Sequence, residues 1–339
     1  MSRNIILGAI AAAGLTAGAA SAQTLAEVQS RGVLNCGVAT GVPGFAFTDA
    51  EGVWMGFDVA VCRALAAAIF DDASKVEFVP TTGRTRFTAL ASGEVDLLAR
   101  NTTWTFSRDV DLKFEFTGIN YYDGQGFMVP RELGVTSAKE LDGATVCIQT
   151  GTTTELNLAD FFRINGMSYE PVPIETNAEA QQLYLARACD VYTTDVSGLA
   201  ASRSTFEDAA DHVILPEVIS KEPLGPLVRH GDHDWGDIVR WTLNALIIAE
   251  ELGITKENVA ELASGPTDNP EINRMLGTEG EYGAMMGLSG DWAVRAIAAV
   301  GNYGEVFEEY LGVNTAVGLE RGLNALYTDG GILYSPPFR

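Results

Sequence analysis

The sequence has few of the residues that most often carry enzymatic chemistry. It contains three histidines, His212, His230 and His233, and it lacks the G-x-S-x-G nucleophile elbow, the P-loop and the Rossmann fingerprint. Residues 230–234 could be imagined as a metal site, but a polar turn ahead of a helix that begins near Trp235 is the better interpretation. We therefore expect no catalytic residue, no cofactor and no metal ion.

Positive charge is also scarce. Lysine and arginine together number 22 against 45 aspartates and glutamates, which gives a net charge of −23 at pH 7. A surface of this sign repels phosphate backbones and anionic lipids, so nucleic acid and the membrane surface are excluded as expected partners. Apolar residues make up 47% of the chain, and its 339 residues are enough for two lobes with separate cores.

The chain has one long apolar stretch, and this lies at the N-terminus. Arg3 precedes an apolar run over residues 5–20, and Ala-Ser-Ala at residues 20–22 has the small-x-small pattern of a cleavage site. The run contains three glycines, whereas a membrane span needs about 20 apolar residues. We predict a signal peptide over residues 1–22 and a mature chain that begins at Gln23. The residue directly after the cleavage site is Gln23 and not a cysteine, so we expect a periplasmic protein without a membrane anchor.

Cysteine is limited to four residues, Cys36, Cys62, Cys147 and Cys189, all in the exported part. An even number in an oxidising compartment favours disulfides over buried free thiols, although three pairings are possible. We predict Cys36–Cys62 and Cys147–Cys189, because each bridge then closes within one predicted lobe. The first closes a loop of about 26 residues, which is worth roughly 3 kcal/mol in the chain-entropy model.

The mature sequence alternates short apolar runs with helical patterns, which is typical of α/β layers. Val61, Leu65 and Ile69 recur at helical spacing and indicate a helix that covers a sheet. Strands are predicted in a first unit at residues 32–38, 76–79 and 95–99, and in a second unit at residues 144–149, 172–174 and 190–193.

Two further patterns concern helix starts and the return of the chain. Capping boxes are predicted at Ser137 with Glu140 and at Thr152 with Glu155. Residues 214–227 contain three prolines and are interpreted as a return crossover, ahead of an apolar helix and a mainly helical C-terminal extension. Two units joined by two crossovers imply a hinge and a cleft for a small molecule. The predicted bounds are residues 23–121 with 225–339 for lobe 1, and residues 122–224 for lobe 2.

The polar segment at residues 101–108 follows a predicted buried strand. It places hydroxyl groups and the Arg108 guanidinium beyond a strand end, where open α/β sheets bind ligands. An arginine at such a place can hold a carboxylate through two parallel hydrogen bonds. The alternative is a surface salt bridge from Arg108 to Asp109 or Asp111, and composition alone favours that alternative.

Six segments in this order and spacing resemble one known family over essentially the whole mature chain. The sequence is similar to the polar amino-acid solute-binding proteins of ABC importers, and most similar to their general L-amino-acid subgroup, which implies broad L-amino-acid specificity that favours glutamate, glutamine, aspartate and asparagine. The segments are residues 56–59, 92–97, 103–108, 121–126, 149–155 and 189–195. The resemblance implies a two-lobed α/β periplasmic binding protein of type II, the Venus-flytrap fold, with two hinge crossovers.

The resemblance also implies roles for the residues around the ligand. Arg108 matches the arginine that clamps the ligand α-carboxylate, and Asp195 matches the acceptor of the α-ammonium group. Thr103, the backbone of Asn101 and the helix start at Thr152 match further contacts to the amino-acid head group. Gln149 and Arg86 match positions that contact the ligand side chain.

The first loop departs from the family pattern. Some relatives have an acidic residue there for the ammonium group, and this chain has none, so Asp195 should carry more of that interaction. Phe45 is our candidate to cover the ligand, with a place in the core beside Phe47 as the alternative. Trp104 favours the core, and Asp58 is interpreted as a helix cap.

These expectations define a monomeric receptor that closes around an L-amino acid and delivers it to the permease of an ABC importer. ATP hydrolysis belongs to another subunit, because the chain has no nucleotide motif. Two alternatives remain open. A dehydratase-like periplasmic enzyme on the same scaffold would need a cleft carboxylate beyond Asp195. A sensor domain would present its bound ligand to another receptor.

Overall fold

The computed structural model describes residues 23–339, and the predicted signal peptide, residues 1–22, lies outside the described residues. The first part of the chain forms the elements α1 (Gln23–Arg31), β1 (Leu34–Ala39), β2 (Phe47–Thr48), β3 (Trp54–Met55), α2 (Phe57–Phe70), β4 (Val76–Thr81), α3 (Arg86–Ser92), β5 (Leu97–Leu98), a π-helical turn (Ser107–Asp111) and β6 (Phe114–Phe116).

The middle of the chain alternates strands and helices. Its elements are β7 (Tyr121–Asp123), β8 (Gln125–Pro130), 3₁₀ turns at Arg131–Leu133 and Ala138–Glu140, β9 (Ala144–Gln149), α4 (Thr153–Ile164), β10 (Tyr169–Ile174), α5 (Asn177–Leu185), β11 (Val191–Asp195), α6 (Val196–Arg203), a 3₁₀ turn at Ala209–Asp211, β12 (His212–Ile214) and β13 (Glu222–Leu224).

One more strand is followed by a helical extension. These elements are β14 (Leu227–Arg229), α7 (His233–Glu251), α8 (Val259–Leu262), α9 (Pro270–Met275), α10 (Tyr282–Met285), α11 (Trp292–Val300), α12 (Tyr303–Tyr310) and 3₁₀ turns at Gly322–Asn324 and Tyr327–Asp329. No described helix combines the length and the apolar character that crossing a membrane requires.

The strands form two five-stranded sheets, one in each lobe. The lobe 1 sheet has the order β4-β1-β5-β14-β6, and the lobe 2 sheet has the order β10-β9-β11-β8-β12. In each sheet three strands are parallel, and a strand that has crossed from the other lobe joins them in the antiparallel sense. The predicted two-lobed α/β fold is therefore confirmed.

The hinge between the lobes is a two-stranded antiparallel ribbon of β7 and β13, in which Asp123 lies opposite Glu222. The C-terminal extension supports this ribbon. Asn324 Nδ2 donates to the Tyr122 carbonyl at 3.1 Å, and its Oδ1 accepts from the Tyr122 N–H at 2.7 Å, so a side-chain amide completes the outer edge of β7. The extension therefore fixes one hinge strand.

The cores follow from the apolar patterns of the sequence. In lobe 1, Val61 and Leu65 of α2 are buried, and each such side chain contributes roughly 1.5–3 kcal/mol. The same core continues into the extension through Trp292 and Phe307. In lobe 2 the sheet is covered on both faces, so successive residues of β9 enter different cores.

Both predicted disulfides are present. Cys36–Cys62 joins β1 to α2, with Cα atoms 6.3 Å apart, and Cys147–Cys189 joins β9 to the start of β11, with Cα atoms 5.6 Å apart. Each bridge lies within one lobe, so neither restricts the hinge.

The helix starts differ from the predicted capping boxes. The Ser137 hydroxyl accepts from the Lys139 N–H and donates to Glu217, so Glu140 completes no box there. Thr152 is the N-cap residue of α4, but its hydroxyl makes no capping bond. Asp58 was also expected to cap a helix. It instead lies inside the first turn of α2, behind Gly56, and its carboxylate points into the strand-end network described below.

Candidate functional site

The candidate site is a cleft between the lobes, where the carboxyl ends of parallel strands from both sheets face each other. It contains about 520 Å³ of empty space, part of it open to solvent. Lobe 1 contributes Val42, Arg86, Arg100, Asn101 and Thr103, and lobe 2 contributes Gln149, Thr152, Thr153, Thr154, Asn177, Thr194, Asp195, Ser197 and Gly198. Polar and charged groups dominate this lining, as a zwitterionic ligand requires.

The lobe 1 wall is held in place by the buried carboxylate of Asp58. Its Oδ2 accepts from the backbone N–H of Asn101 at 3.1 Å, and its Oδ1 accepts from Asn120 Nδ2 at 3.0 Å. Burial raises the pKa of Asp58 to about 6, against the opposing effect of these bonds and of the Arg100 charge. Asn101 has a φ of +43°, which asparagine tolerates better than most residues.

Two arginines, Arg86 and Arg108, form the positive side of this wall. Arg86 is 2% exposed, its Nη1 donates to Thr102 Oγ1 at 3.2 Å, and its guanidinium lies 4.8 Å from the ring centroid of Phe87. Burial, followed by the charges of Arg108 and Arg100, lowers the pKa of Arg86 well below its ordinary value. The buried Arg86 Nε and Asn101 Oδ1 have no hydrogen-bond partner. Such atoms are costly unless a ligand binds them.

Arg108 is buried beside the cleft. Its Nη1 donates to the Thr103 carbonyl at 2.8 Å, and its guanidinium lies 5.2 Å from the Phe87 ring centroid. Burial lowers the pKa of Arg108 to about 10, against the charges of Glu222 and Asp195. The alternative surface salt bridge to Asp109 is not formed, because that carboxylate instead accepts from Trp104 Nε1 at 2.7 Å and lies 3.5 Å from His230 Nε2.

The lobe 2 wall presents a helix start. The Thr152 hydroxyl donates to the Gln149 carbonyl at 2.7 Å, and Gln149 Nε2 donates to the Glu175 carbonyl at 2.7 Å. Since the Thr152 side chain does not cap α4, the first N–H groups of this 12-residue helix are left to face the cleft. A helix N-terminus with open N–H groups stabilises a negative charge, such as a carboxylate.

Asp195 provides the negative side. It ends β11 and begins α6, and it lies half-buried in the wall. Burial, followed by the charges of Asp123 and Glu222, raises the pKa of Asp195 well above its ordinary value, while Arg86 and Arg108 oppose the rise. Asp123 is fixed by its hydrogen bond to Ser197 in lobe 2. A bound cation would relieve the repulsion between these carboxylates, so an ammonium group fits here.

The lobes also meet across the mouth of the cleft, on the side away from the hinge. Thr82 Oγ1 of lobe 1 donates to Glu175 Oε1 of lobe 2 at 2.6 Å. Gly83 packs against the backbone of Thr150 and Gly151, with no room for a side chain. The described conformation is therefore a closed one.

Residues 34–257 match the family model described as bacterial extracellular solute-binding proteins, family 3. The chain belongs to this family. It is 63% identical, over the full length of both chains, to the glutamate/glutamine/aspartate/asparagine-binding protein BztA of Rhodobacter capsulatus. It is 54% identical, again over the full length of both, to the general L-amino acid-binding periplasmic protein AapJ of Rhizobium johnstonii.

A solved structure of the same fold covers nearly the whole described chain. It is an ABC transporter periplasmic binding protein from Brucella ovis with glutathione bound, at 53% identity and a TM-score of 0.90, over 93% of this chain and 99% of that one. The family 3 relatives named by function here are binding proteins. This supports a binding role over the dehydratase alternative.

The structure brings most of the predicted site residues of this family 3 chain together. Arg86, Asn101, Thr103, Gln149, Thr152 and Asp195 line one cleft. Arg108 lies behind Thr103. Phe45 does not line the cleft but packs edge-on against Phe57 and Tyr121 in the lobe 1 core, at centroid distances of 6.1 and 5.5 Å.

Several residues of the site were not predicted. Arg100 precedes the predicted strand-end segment by one position, so a wider window around that strand end would have included it. Val42 occupies the place on the first loop that was assigned to Phe45. Asp123 and Glu222 lie on the hinge strands. Asp123 falls in the segment at residues 121–126 but was given no role there, and no local pattern marks Glu222, because most of its partners are distant in sequence. The predicted metal-free turn at residues 230–234 contains Asp232, which caps α7 by accepting from the Trp235 N–H.

Proposed function

We propose that this chain is a periplasmic receptor that binds L-amino acids in the interlobe cleft and delivers them to the permease of an ABC importer. One observation carries the proposal. Groups suited to a carboxylate lie on both walls of a single closed cleft, and Asp195, which suits an ammonium, lies on the lobe 2 wall, so an α-amino acid would contact both lobes at once. A ligand that binds both walls stabilises the closed form through contacts that the open form lacks.

The carboxylate end would be held by the positive wall and the helix start. Arg108, which lies behind Thr103, supplies positive charge. The open N–H groups at the start of α4, after Thr152, supply hydrogen-bond donors. Asn101 offers its unpartnered Oδ1 to the ammonium end. Asp195 supplies the charge that pairs with the ammonium group, and a bound ammonium would relieve the repulsion from Asp123 and Glu222 that contributes to the raised pKa of its carboxyl.

The side-chain end of the cleft favours ligands with an acidic or amide group. Arg86 has an unpartnered Nε, and Arg100 lines the same wall, so a γ- or β-carboxylate finds positive charge there. Gln149 lies nearby with a carboxamide. The name of the Rhodobacter capsulatus relative supports a preference for glutamate, glutamine, aspartate and asparagine, and the name of the Rhizobium johnstonii relative supports breadth across L-amino acids. The glutathione in the Brucella ovis structure adds γ-glutamyl compounds as ligands to examine.

The organisation of the chain is part of the proposal. Export would follow from cleavage after Ala22, as the small-x-small pattern indicates. We place lobe 1 at residues 23–121 with 225–339 and lobe 2 at residues 122–224, which is supported by the position of the β7–β13 ribbon between the sheets. The mature protein would act as a monomer, with the permease as its protein partner.

Thermal stabilisation of ligand-stripped protein tests the function. The protein is unfolded and refolded to remove bound ligand, and its melting temperature is then measured with each L-amino acid and with glutathione. A ligand at 100 times its Kd stabilises the folded state by about 2.7 kcal/mol. We expect glutamate, glutamine, aspartate and asparagine to give the largest shifts.

The Asp195→Asn variant is the matched test of the site, because it keeps the shape and removes the charge. The rise in melting temperature that each amino acid causes should be much smaller for this variant than for the wild type. If no amino acid stabilises the wild type, the receptor proposal fails. Product analysis after incubation with candidate substrates tests the dehydratase alternative. We expect the ligand to be recovered unchanged, which would contradict that alternative.

A further inference from the structure

The carboxylate of Glu222 lies at the hinge with both oxygens occupied by hydrogen bonds. Glu222 begins β13 and is 1% exposed. Its Oε2 accepts from Thr103 Oγ1 at 2.5 Å and from Thr153 Oγ1 at 2.9 Å. Its Oε1 accepts from Asn157 Nδ2 at 2.7 Å and from Ser220 Oγ at 2.6 Å. Four neutral donors therefore compensate for the burial of this carboxylate.

The donors to Glu222 come from both lobes. Thr103 follows β5 in lobe 1, whereas Thr153 and Asn157 lie one turn apart on the same face of α4 in lobe 2. The hydroxyl oxygens of Thr103 and Thr153 are 3.4 Å apart across the interlobe boundary. One side chain on the hinge thus joins a strand end of one lobe to a helix of the other.

Opening of the cleft must break part of this arrangement, whichever lobe the hinge strand follows. If Glu222 moves with lobe 1, the bonds from Thr153 and Asn157 are lost. If it moves with lobe 2, the bond from Thr103 is lost. Only the closed form keeps donors from both lobes on this charged group, so the arrangement favours the closed form.

Glu222 also supports the lobe 1 wall of the cleft, although its own oxygens already accept hydrogen bonds and are not available to a ligand. Thr103 lines the cleft, and its carbonyl accepts from Arg108 Nη1 at 2.8 Å, so the bond from Thr103 to Glu222 fixes the segment that holds Arg108. Because both oxygens of Glu222 are filled, the ammonium group of a ligand is left to Asp195. Glu222 is a positioning residue.

We propose that Glu222 is the latch of the closed form, a hinge carboxylate that binds donors from both lobes and slows ligand release. For its ligand readout this inference rests on the proposed amino-acid receptor function. A second readout, the conformation of the ligand-free protein, is independent of that function.

The experiment compares Glu222→Gln, Asn157→Ala and the double variant with the wild type. Stopped-flow measurements with L-glutamate give the association and dissociation rates, and small-angle X-ray scattering gives the closed fraction of the ligand-free protein. We expect Glu222→Gln to raise the dissociation rate at least tenfold, to change the association rate less than threefold, and to lower the closed fraction. Asn157→Ala should act in the same direction.

The double variant separates a latch from general destabilisation. Since both substitutions weaken the same hydrogen-bonded network around Glu222, adding Asn157→Ala to Glu222→Gln should raise the dissociation rate less than twofold further. Asp160→Asn, which removes an exposed carboxylate from α4, is the matched control and should leave both readouts unchanged. Unchanged dissociation with a lowered melting temperature would assign Glu222 to the scaffold and overturn the latch.

If Glu222→Gln does not fold, Asn157→Ala and Thr153→Val test the latch from the lobe 2 side, with the same expected rise in dissociation rate. If the wild type binds no L-glutamate, the receptor function fails and scattering decides the latch alone. Identical scattering profiles for wild type and variants would then refute it.

Discussion

Gly83 of lobe 1 and Thr150 of lobe 2 approach so closely that a Cβ at Gly83 would lie 2.8 Å from the Thr150 carbonyl oxygen and 3.1 Å from Thr152 Cγ2. The glycine is required by the space between the lobes and not by its own backbone, whose φ lies outside the left-handed region. This contact exists only when the cleft is closed. A single added methyl group at Gly83 should therefore hinder closure of the cleft.

Gly83→Ala should weaken ligand binding while the lobes stay folded. Overpacking of a tight contact costs roughly 1–3 kcal/mol, which corresponds to about a 5- to 150-fold loss of affinity. Isothermal titration with L-glutamate measures this loss. Gly265→Ala is the control, because a Cβ there meets open space and its φ is ordinary. Equal affinities for wild type and Gly83→Ala would show that ligand binding does not need this contact.

Arg108→Ala should lower the affinity for L-glutamate by roughly 2–5 kcal/mol, since the guanidinium is buried beside the cleft and near two carboxylates. Arg108→Lys should recover only part of the loss, because an ammonium cannot replace the planar fork of the guanidinium. Calorimetry on ligand-stripped protein gives both values. Arg163→Ala, which removes an exposed guanidinium from α4, should bind as the wild type does. Unchanged affinity in Arg108→Ala would remove Arg108 from the site.

Asp58 should make the protein less stable as the pH rises from about 4 to about 6. The pKa of this carboxyl is raised from 3.8 to about 6 in the folded state, so the folded protein binds more protons than the unfolded chain in that window. The free energy of unfolding then falls with rising pH, by roughly 3 kcal/mol over the window for about two pKa units. Urea denaturation at pH 4, 5, 6 and 7 measures this slope.

Asp58→Asn should reduce the slope of unfolding free energy against pH by an amount that corresponds to at most one bound proton. Asp123 and Asp195 remain in both proteins, so the difference between the two slopes isolates Asp58. A constant loss of stability at every pH is expected as well, because an amide cannot accept from both Asn101 and Asn120 as the carboxylate does. Parallel slopes would contradict the assignment of a raised pKa to Asp58.

Replacement of Cys147 and Cys189 by alanine should reduce the free energy of unfolding without removing the binding site. The bridge closes a segment of 42 residues within lobe 2, and the chain-entropy model gives about 4 kcal/mol for a loop of this length. Neither cysteine lines the cleft. We expect a lower melting temperature, together with retained stabilisation by L-glutamate below it. Loss of binding in a variant that is still folded at the assay temperature would contradict this separation of roles.

Local patterns in the sequence were sufficient for the layers of the fold. The apolar spacing of Val61 and Leu65 predicts a helix on a sheet, because burial of one helical face requires that period. The two-lobe pairing of the cysteines also follows from the order of the chain. The segment at residues 101–108 was placed at a strand end for the same reason, since strand and turn signals are short-range.

Two of the predictions that were wrong, those for Asp58 and Thr152, share a physical cause. Asp58 was assigned to a helix cap because a carboxylate in a first turn is common there, but tertiary contacts direct it to the Asn101 backbone 43 positions away. The Thr152 hydroxyl was expected to cap α4, and its donation to the Gln149 carbonyl leaves the helix start open. In both cases a side chain that could satisfy a local partner satisfies a distant or a different one, and the sequence contains both options.

The sequence by itself determined the α/β layers and the strand-end segment of the site, since each depends on periodicity or spacing along the chain, and it favoured the observed disulfides among three possible pairings. Tertiary structure alone decided that Phe45 is core, that Gly83 meets Thr150, and that Glu222 gathers donors from residues 65, 69 and 119 positions away. Contacts of that separation arise only in the folded chain, because tertiary packing within and between the lobes brings together surfaces that no local pattern relates.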